Sequence, residues 1–231
     1  MSKLLVSDYD GTYKNSTSNI NDNNYEVKQL MIYDDLFMLS TGRNYEEFYE
    51  ELKKYSIVAN YFSFSDGNVL MDKDMRVLSY NGIPEDFYKA FKEFYNYFES
   101  VELINAYGEV DTTDIVEYRI RYRNQDAKEL FKKYLIEHGI FSYHHSGDDP
   151  MVIHIYNPYT NKVTNIEQIV FIKSLDRRDV YTIGDGYNDL EMIKKYNGYS
   201  VPTANEDIKY VAKGIYDSVG EFAHDIRIRK I

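Results

Sequence analysis

The chain contains no cysteine. Disulfides, thiolate catalysis and cysteine-based zinc sites are therefore excluded, and the absence fits a reducing compartment. It also has no tryptophan, while tyrosine is abundant at 25 residues beside 12 phenylalanines. Tyrosine in that number reads as filler of half-buried strand and helix positions. No window approaches the roughly 18 apolar residues that span a bilayer. The opening stretch, residues 1–8, carries too short an apolar run for a signal peptide. Positive charge is in deficit: 27 Lys and Arg against 38 Asp and Glu give a net charge of −11. An acidic surface of that size repels phosphate backbones and anionic lipid, so neither nucleic acid nor membrane is an expected partner. A soluble cytoplasmic protein is expected, as a monomer or homodimer.

What is present is an ordinary globular composition, with 43% hydrophobic residues in 231. That supports a sizeable core and excludes general disorder. Strand and helix signals alternate at first. Strands are expected at Leu4–Val6 and Leu36–Leu39, with helices over Asn21–Ile32 and from Asn44 to about Tyr55. Strands at Ile57–Phe64, Val69–Met71 and Val77–Leu78 follow, with a turn at Asp66-Gly67-Asn68. The rhythm then changes. Pro84 opens a helix expected to run to Phe98, and residues 83–156 read α-β-β-α-β-β. After Pro158 the first rhythm returns, with a helix at Val163–Ser174, a strand at Val180–Ile183 and a helix at Asp189–Tyr196. Short strands at Tyr199–Val201 and Ile215–Tyr216 flank a last helix. The fold class is α/β: a Rossmann-like parallel-sheet core, residues 1–82 and 157–231, with an α+β module inserted at 83–156.

Three of these strands end in polar, glycine-containing turns: Asp8-Tyr9-Asp10-Gly11-Thr12, Ser40-Thr41-Gly42-Arg43 and Gly184-Asp185-Gly186-Tyr187-Asn188-Asp189. In a parallel sheet all three lie at the carboxyl edge, where open α/β sheets bind ligands. Asp8, Asp10, Asp185 and Asp189 gathered there repel one another without a cation, and hard oxygen ligands suit Mg²⁺. Asp8 and Asp10 are two residues apart, roughly 6.6 Å in an extended chain. That spacing admits a reacting atom between a carboxylate that attacks and one that shuttles a proton. Gly11 permits a tight turn that brings N–H groups to an anion. Thr41 and the Gly42 amide can hold phosphoryl oxygens, and Lys162 can neutralise them. The set is equipment for phosphoryl transfer through an aspartyl-phosphate.

These motifs resemble those of the haloacid dehalogenase (HAD) superfamily, and more narrowly its Cof-like, sugar-phosphatase branch with a type IIB cap. Asp8–Thr12 matches the Asp-x-Asp-Gly-Thr motif, Thr41-Gly42-Arg43 the second motif, and Gly184–Asp189 the Gly-Asp-x-x-Asn-Asp motif. Lys162 matches the lysine that follows the cap, although Val163 stands where the family usually has glycine, which leaves Lys173 as the alternative. The family's Asn-Gly turn before the cap appears as Asp66-Gly67-Asn68. The resemblance implies that Asp8 is the nucleophile and a Mg²⁺ ligand. It makes Asp10 general acid and then base, with its carbonyl on the metal. Asp185 is implied as a direct metal ligand, and Asp189 as one through water or as the group that orients Asp185. By the same resemblance Thr41, Lys162 and Asn188 would hold phosphate, and Arg43 would brace the site or face substrate. The resemblance likewise makes the inserted module the cap that would close over the site and select the leaving group.

The expected activity is Mg²⁺-dependent hydrolysis of small phosphorylated metabolites, sugar phosphates foremost. Three alternatives stand beside it: a phosphotransferase or mutase using the same intermediate, a phospho-aspartate switch, and a metabolite-binding module with vestigial catalysis. Arg119, Arg121 and Arg123 share a strand face, read as solvated or as a lining for a second anionic group on the substrate. His144, His145, Asp148 and Asp149 read as a polar hairpin end, with a second metal site as the other reading. His154 is expected on a solvent- or site-facing side. Arg227, Arg229 and Lys230 are expected in a solvated tail.

Overall fold

The computed structural model describes residues 2–84, 91–111, 113–140, 143–145 and 149–231, with the backbone alone at 144 and 145. Eleven strands are seen among them, in two sheets. The chain divides into two compact units, one of Met1–Arg43, Glu47–Ser79 and Asn161–Ile231, the other of Asn44–Glu46 and Tyr80–Thr160.

The first unit is built on a seven-stranded sheet. In chain order its elements are β1 (Leu4–Asp8), α1 (Ile20–Ile32), β2 (Leu36–Ser40), α2 (Tyr45–Tyr55, whose first two residues group with the second unit), β3 (Tyr61–Phe64), β4 (Val69–Asp72) and β5 (Val77–Tyr80). The strand order is β11-β10-β1-β2-β3-β4-β5, where β10 is Val180–Gly184 and β11 is Asn197–Ser200. β1 lies between β10 and β2, parallel to both. A strand covered on both faces needs an unbroken apolar run, and Leu4, Leu5 and Val6 are all fully buried. The β3–β4 pair is antiparallel, so the sheet is parallel-dominated and mixed toward one edge. Only one tight turn, Ser65–Gly67, separates these two strands, too short for a parallel crossover.

The expected strand at Ile57–Phe64 begins only at Tyr61. Asn60 replaces ladder pairing there: its side-chain oxygen accepts the Phe37 N–H at 2.8 Å and its own N–H donates to the Phe37 carbonyl at 2.9 Å. The expected strand at Ile215–Tyr216 is a single bridge to Ser200. The helix expected from Asp189 begins instead as a 3-10 turn at Tyr187–Asp189.

The second unit holds an antiparallel sheet in the order β6-β7-β9-β8, from β6 (Phe98–Asn105), β7 (Ile115–Tyr122), β8 (Tyr143–His145) and β9 (Val152–Tyr156), with α3 (Gln125–Glu137) packed on it. Phe131 of α3 is fully buried and meets Phe91, Phe94 and Phe98 at ring-centroid distances of 5.4, 5.1 and 4.9 Å. The helix expected from Pro84 to Phe98 runs partly outside the described residues. From Lys92 to Tyr97 it is a 3-10 turn, and Phe98 already pairs with Tyr122 as strand.

The carboxyl-terminal charges at Arg229 and Lys230 are exposed, as a solvated tail would be, but they are also paired. α4 (Lys162–Ile172), α5 (Leu190–Lys195), α6 (Glu206–Val211) and α7 (Val219–Arg227) complete the first unit. Past α7, Arg229 forks onto the buried Asp35 at 2.9 and 3.1 Å, and Lys230 reaches Asp225 at 2.7 Å. Arg227 pairs with Glu26 of α1 at 3.1 Å.

Candidate active site

The three polar turns come together because β10, β1 and β2 are adjacent, parallel and in register. Asp8 stands opposite Ser40, and Ser7 opposite Ile183. The chain therefore leaves all three strands at one edge, carrying Asp8, Thr41 and Asp185.

Asp8 is 5% exposed and faces Lys162, the first residue of α4, whose ammonium is 2.5 Å from Asp8 Oδ1 and 2.7 Å from Asp189 Oδ1. Lys162 is completely buried. Its place is fixed by a capping box, in which the Asn161 side chain and Thr164 satisfy the first turn of α4. Gly67 makes room beside it. Its φ is +93°, and a Cβ there would lie 2.0 Å from the Asn161 carbonyl oxygen. Lys173, the alternative lysine, caps the other end of α4 and lies over the Tyr61 ring.

Asp189 takes the Asp185 and Gly186 N–H groups on Oδ2, each at 3.0 Å, so its two oxygens have separate duties. Asp185 is held by the Thr12 hydroxyl at 2.7 Å. Gly11, at φ +87°, passes so close that a Cβ would be 2.3 Å from Asp185 Oδ2. One carboxylate oxygen each from Asp8, Asp185 and Asp189 lie within 4.8 Å of one another. Asp8 Oδ2 is buried with no hydrogen-bond partner. A donor set made only of hard oxygens, one of them buried and unsatisfied, fits a small divalent cation such as Mg²⁺.

The electrostatics follow from burial. Desolvation pushes the Asp8 carboxyl well above the usual range; Lys162 opposes this, and Asp189 and Asp185 add to it. Burial also raises Asp185, against the Thr12 hydrogen bond. Burial disfavours the Lys162 ammonium, but Asp189, Asp8 and Asp66 outweigh it and its pKa is raised.

Asp10 goes elsewhere. Its half-exposed carboxylate is gripped by Arg43 in a two-pronged pair, Nε to Oδ2 at 2.7 Å and Nη2 to Oδ1 at 2.6 Å. The Arg43 guanidinium also lies 5.8 Å from the Tyr9 ring centre. Thr41 is buried, and its hydroxyl accepts the Arg43 N–H at 3.1 Å. The Asn188 amide donates to Asp66 Oδ1 at 3.1 Å. Asp66, which the sequence shows only as a turn residue departing from the family's Asn-Gly pattern, joins the site through this contact. Its signal was its own carboxylate, standing where an asparagine was expected.

In the second unit the arginine row is engaged. Arg121 pairs with Asp149 at 2.7 Å, Arg123 donates to the Phe98 carbonyl at 2.7 Å, and Arg119 stands among Glu46, Glu102 and Glu117. His154 is buried, not solvent-facing, with Nδ1 2.6 Å from the buried Glu117. Asp148 and the His144 and His145 side chains lie outside the described residues.

A family model described as haloacid dehalogenase-like hydrolase matches residues 5–109 and 85–223. No curated protein matches the sequence. Among solved structures, the chain is similar to a hypothetical protein from Geobacillus kaustophilus HTA426, with TM-score 0.77, 19% identity and all of both chains covered. A haloacid dehalogenase-like hydrolase from Bacteroides thetaiotaomicron aligns at TM-score 0.75 and 18% identity over 98% of this chain and 100% of that one. A phosphatase of the haloalkanoate (HAD) enzyme superfamily from the same organism aligns at TM-score 0.71 and 17% identity over 100% of this chain and 94% of that one. At these identities the likeness is one of fold.

Proposed function

The chain belongs to the haloacid dehalogenase-like hydrolase family, and from that premise we propose that it is a Mg²⁺-dependent phosphatase acting on small phosphorylated metabolites, sugar phosphates foremost, through an aspartyl-phosphate on Asp8. The observation that carries this is the buried Lys162 joined to both Asp8 and Asp189, with Asp8 Oδ2 left without a donor.

Asp8, Asp185, Asp189 and the Asp10 carbonyl would hold the cation. Bound there, Mg²⁺ would offset the carboxylates and the charge on the phosphoryl oxygens. The chain's own residues do the rest. Lys162 fixes Asp8 so that one carboxylate oxygen faces phosphorus. That oxygen attacks, the P–O bond to the leaving group breaks, and Asp10 supplies the proton to the departing alkoxide. Water then attacks phosphorus, Asp10 takes its proton, and Asp8 is released with inorganic phosphate. Thr41 and the Gly42 amide offer donors to the phosphoryl oxygens, with Lys162 neutralising them and Asn188 donating from its amide.

The Arg43 grip on Asp10 favours a second reading, in which Asp10 shuttles protons poorly and the phospho-aspartate is passed to another hydroxyl or persists. Phosphate release from an aryl phosphate and a panel of sugar phosphates separates the two. Hydrolysis is expected with Mg²⁺ and not with chelator. It should be abolished by Asp8→Asn and reduced at least ~10²-fold by Asp10→Asn. Stable phosphorylation without release, or transfer to an added sugar, would favour the second reading. Turnover untouched by chelator would remove the metal.

A further inference from the structure

Asp66 sits on a turn that the backbone makes at a cost. Ser65, Asp66 and Gly67 have consecutive positive φ values of 51°, 50° and 93°. Two of the three are not glycine, and each such residue costs about 1–2 kcal/mol in this region. The turn is nevertheless tied down: Ser65 N–H donates to the Arg43 carbonyl at 2.9 Å, and Asp66 N–H to the Thr41 carbonyl at 3.1 Å. Local strain held in place by surrounding structure is a pointer to function.

What the strain achieves is the placement of one carboxylate. Asp66 Oδ2 would stand 3.3 Å from a Cβ at Gly42, so the carboxylate packs closely against that turn. Asp66 Oδ1 takes the Asn188 amide at 3.1 Å. The carboxylate thus lies between two of the groups assigned above to phosphate, on the turn after β2 and the turn after β10. An anion among anion-binding groups is unfavourable unless it does something a neutral residue cannot.

We propose that Asp66 is a positioning residue that fixes the orientation of the Asn188 amide, so that the second N–H of the same nitrogen is left for a phosphoryl oxygen. A side-chain amide presents a donor nitrogen on one side and an acceptor oxygen on the other. An ionised carboxylate accepts only, so it selects the nitrogen side. Without it the amide can turn its oxygen toward phosphate, which repels. This inference rests on the phosphatase reading and adds to it how one phosphate donor is aimed.

The test is a double-mutant cycle on Asp66 and Asn188, read as KM for an aryl phosphate and Ki for inorganic phosphate in the presence of Mg²⁺. Glycine accepts the backbone conformation at 66 without strain. Asp66→Gly is expected to raise KM and Ki together by about tenfold while kcat changes less than about threefold. In an Asn188→Ala background the same substitution should add less than about twofold. Asp66→Asn, which also tolerates positive φ and keeps an acceptor oxygen, should fall between wild type and Asp66→Gly. It carries the same cycle if the glycine variant does not fold. Tighter phosphate binding on loss of Asp66, or an undiminished effect of its loss when Asn188 is already alanine, would overturn the proposal. A wild type that hydrolyses no phosphate ester would remove the phosphatase reading and this inference with it. A wild type that turns over, with Asp66→Gly indistinguishable from it, would remove this inference alone.

Discussion

Lys162 has no solvent exposure, so its charge is tolerable only because Asp8 and Asp189 receive it. Removing the ammonium strands two buried carboxylates, which is costlier than never having had the pair. Lys162→Met is expected to destabilise the metal-free protein by about 3–5 kcal/mol, read from denaturant unfolding, and to abolish turnover. A second expectation concerns protons. Burial, with Asp189 and Asp185 nearby, raises Asp8 despite Lys162, and burial raises Asp185 too. A carboxyl whose folded pKa is raised binds more protons folded than unfolded. Its effect is to lower stability as pH rises from about 3.9 toward the folded value. A cation on those oxygens must displace the protons. Mg²⁺ affinity should therefore rise with pH, and calorimetry in buffers of different ionisation enthalpy should detect proton release on binding. Equal affinity across that range would contradict the assigned ligands. That Asp8, Asp185, Asp189 and Lys162 lie together was legible in the sequence, because each ends a strand, lies in the turn after one or begins a helix. Asp66 was not, because what defines it is contact with Gly42 and Asn188, and those lie far away along the chain.

At the scale of elements, the turn Ser65–Gly67 and the start of α4 are one device. Gly67 has no Cβ to strike the Asn161 carbonyl, and Asn161 caps the helix that begins with Lys162. Gly67→Ala combines backbone strain with a Cβ only 2.0 Å from a main-chain oxygen, so the clash cannot be relieved by a side-chain rotation. It is expected to cost more than the ~1 kcal/mol of positive-φ strain alone and to depress kcat as Lys162 is displaced. Melting curves and kcat measured together check both. The misread elements have local causes. Ile57–Asn60 looked like strand from its apolar residues, yet the Asn60 side chain takes over the ladder bond to Phe37. The tail is solvated as its alternation of charges with isoleucine suggests, but Arg229 and Lys230 also pair with Asp35 and Asp225. The Arg229–Asp35 pair spans 194 positions and is invisible to any local pattern.

For the whole molecule, the alternation of strands and helices foretold the α/β class because each β–α unit carries its own periodicity. The shared carboxyl edge of β1, β2 and β10 followed from the parallel-sheet rule, while their adjacency is seen only in the structure. The antiparallel β3–β4 edge came from connection length rather than from the strands' composition. The net charge of −11 is distributed so that four of the acidic groups, Asp8, Asp66, Asp185 and Asp189, stand near one buried lysine. That concentration is unfavourable for a fold in isolation, and a divalent cation on those oxygens would offset it. Everything turns on whether Asp8 bonds to phosphorus. Acid quenching during turnover of an aryl phosphate with Mg²⁺, followed by peptide mass spectrometry, tests this directly. The account predicts a hydroxylamine-labile phosphoryl group on the peptide bearing Asp8, absent in Asp8→Asn. Turnover that proceeds with no phosphorylated peptide and with inversion at phosphorus would contradict it.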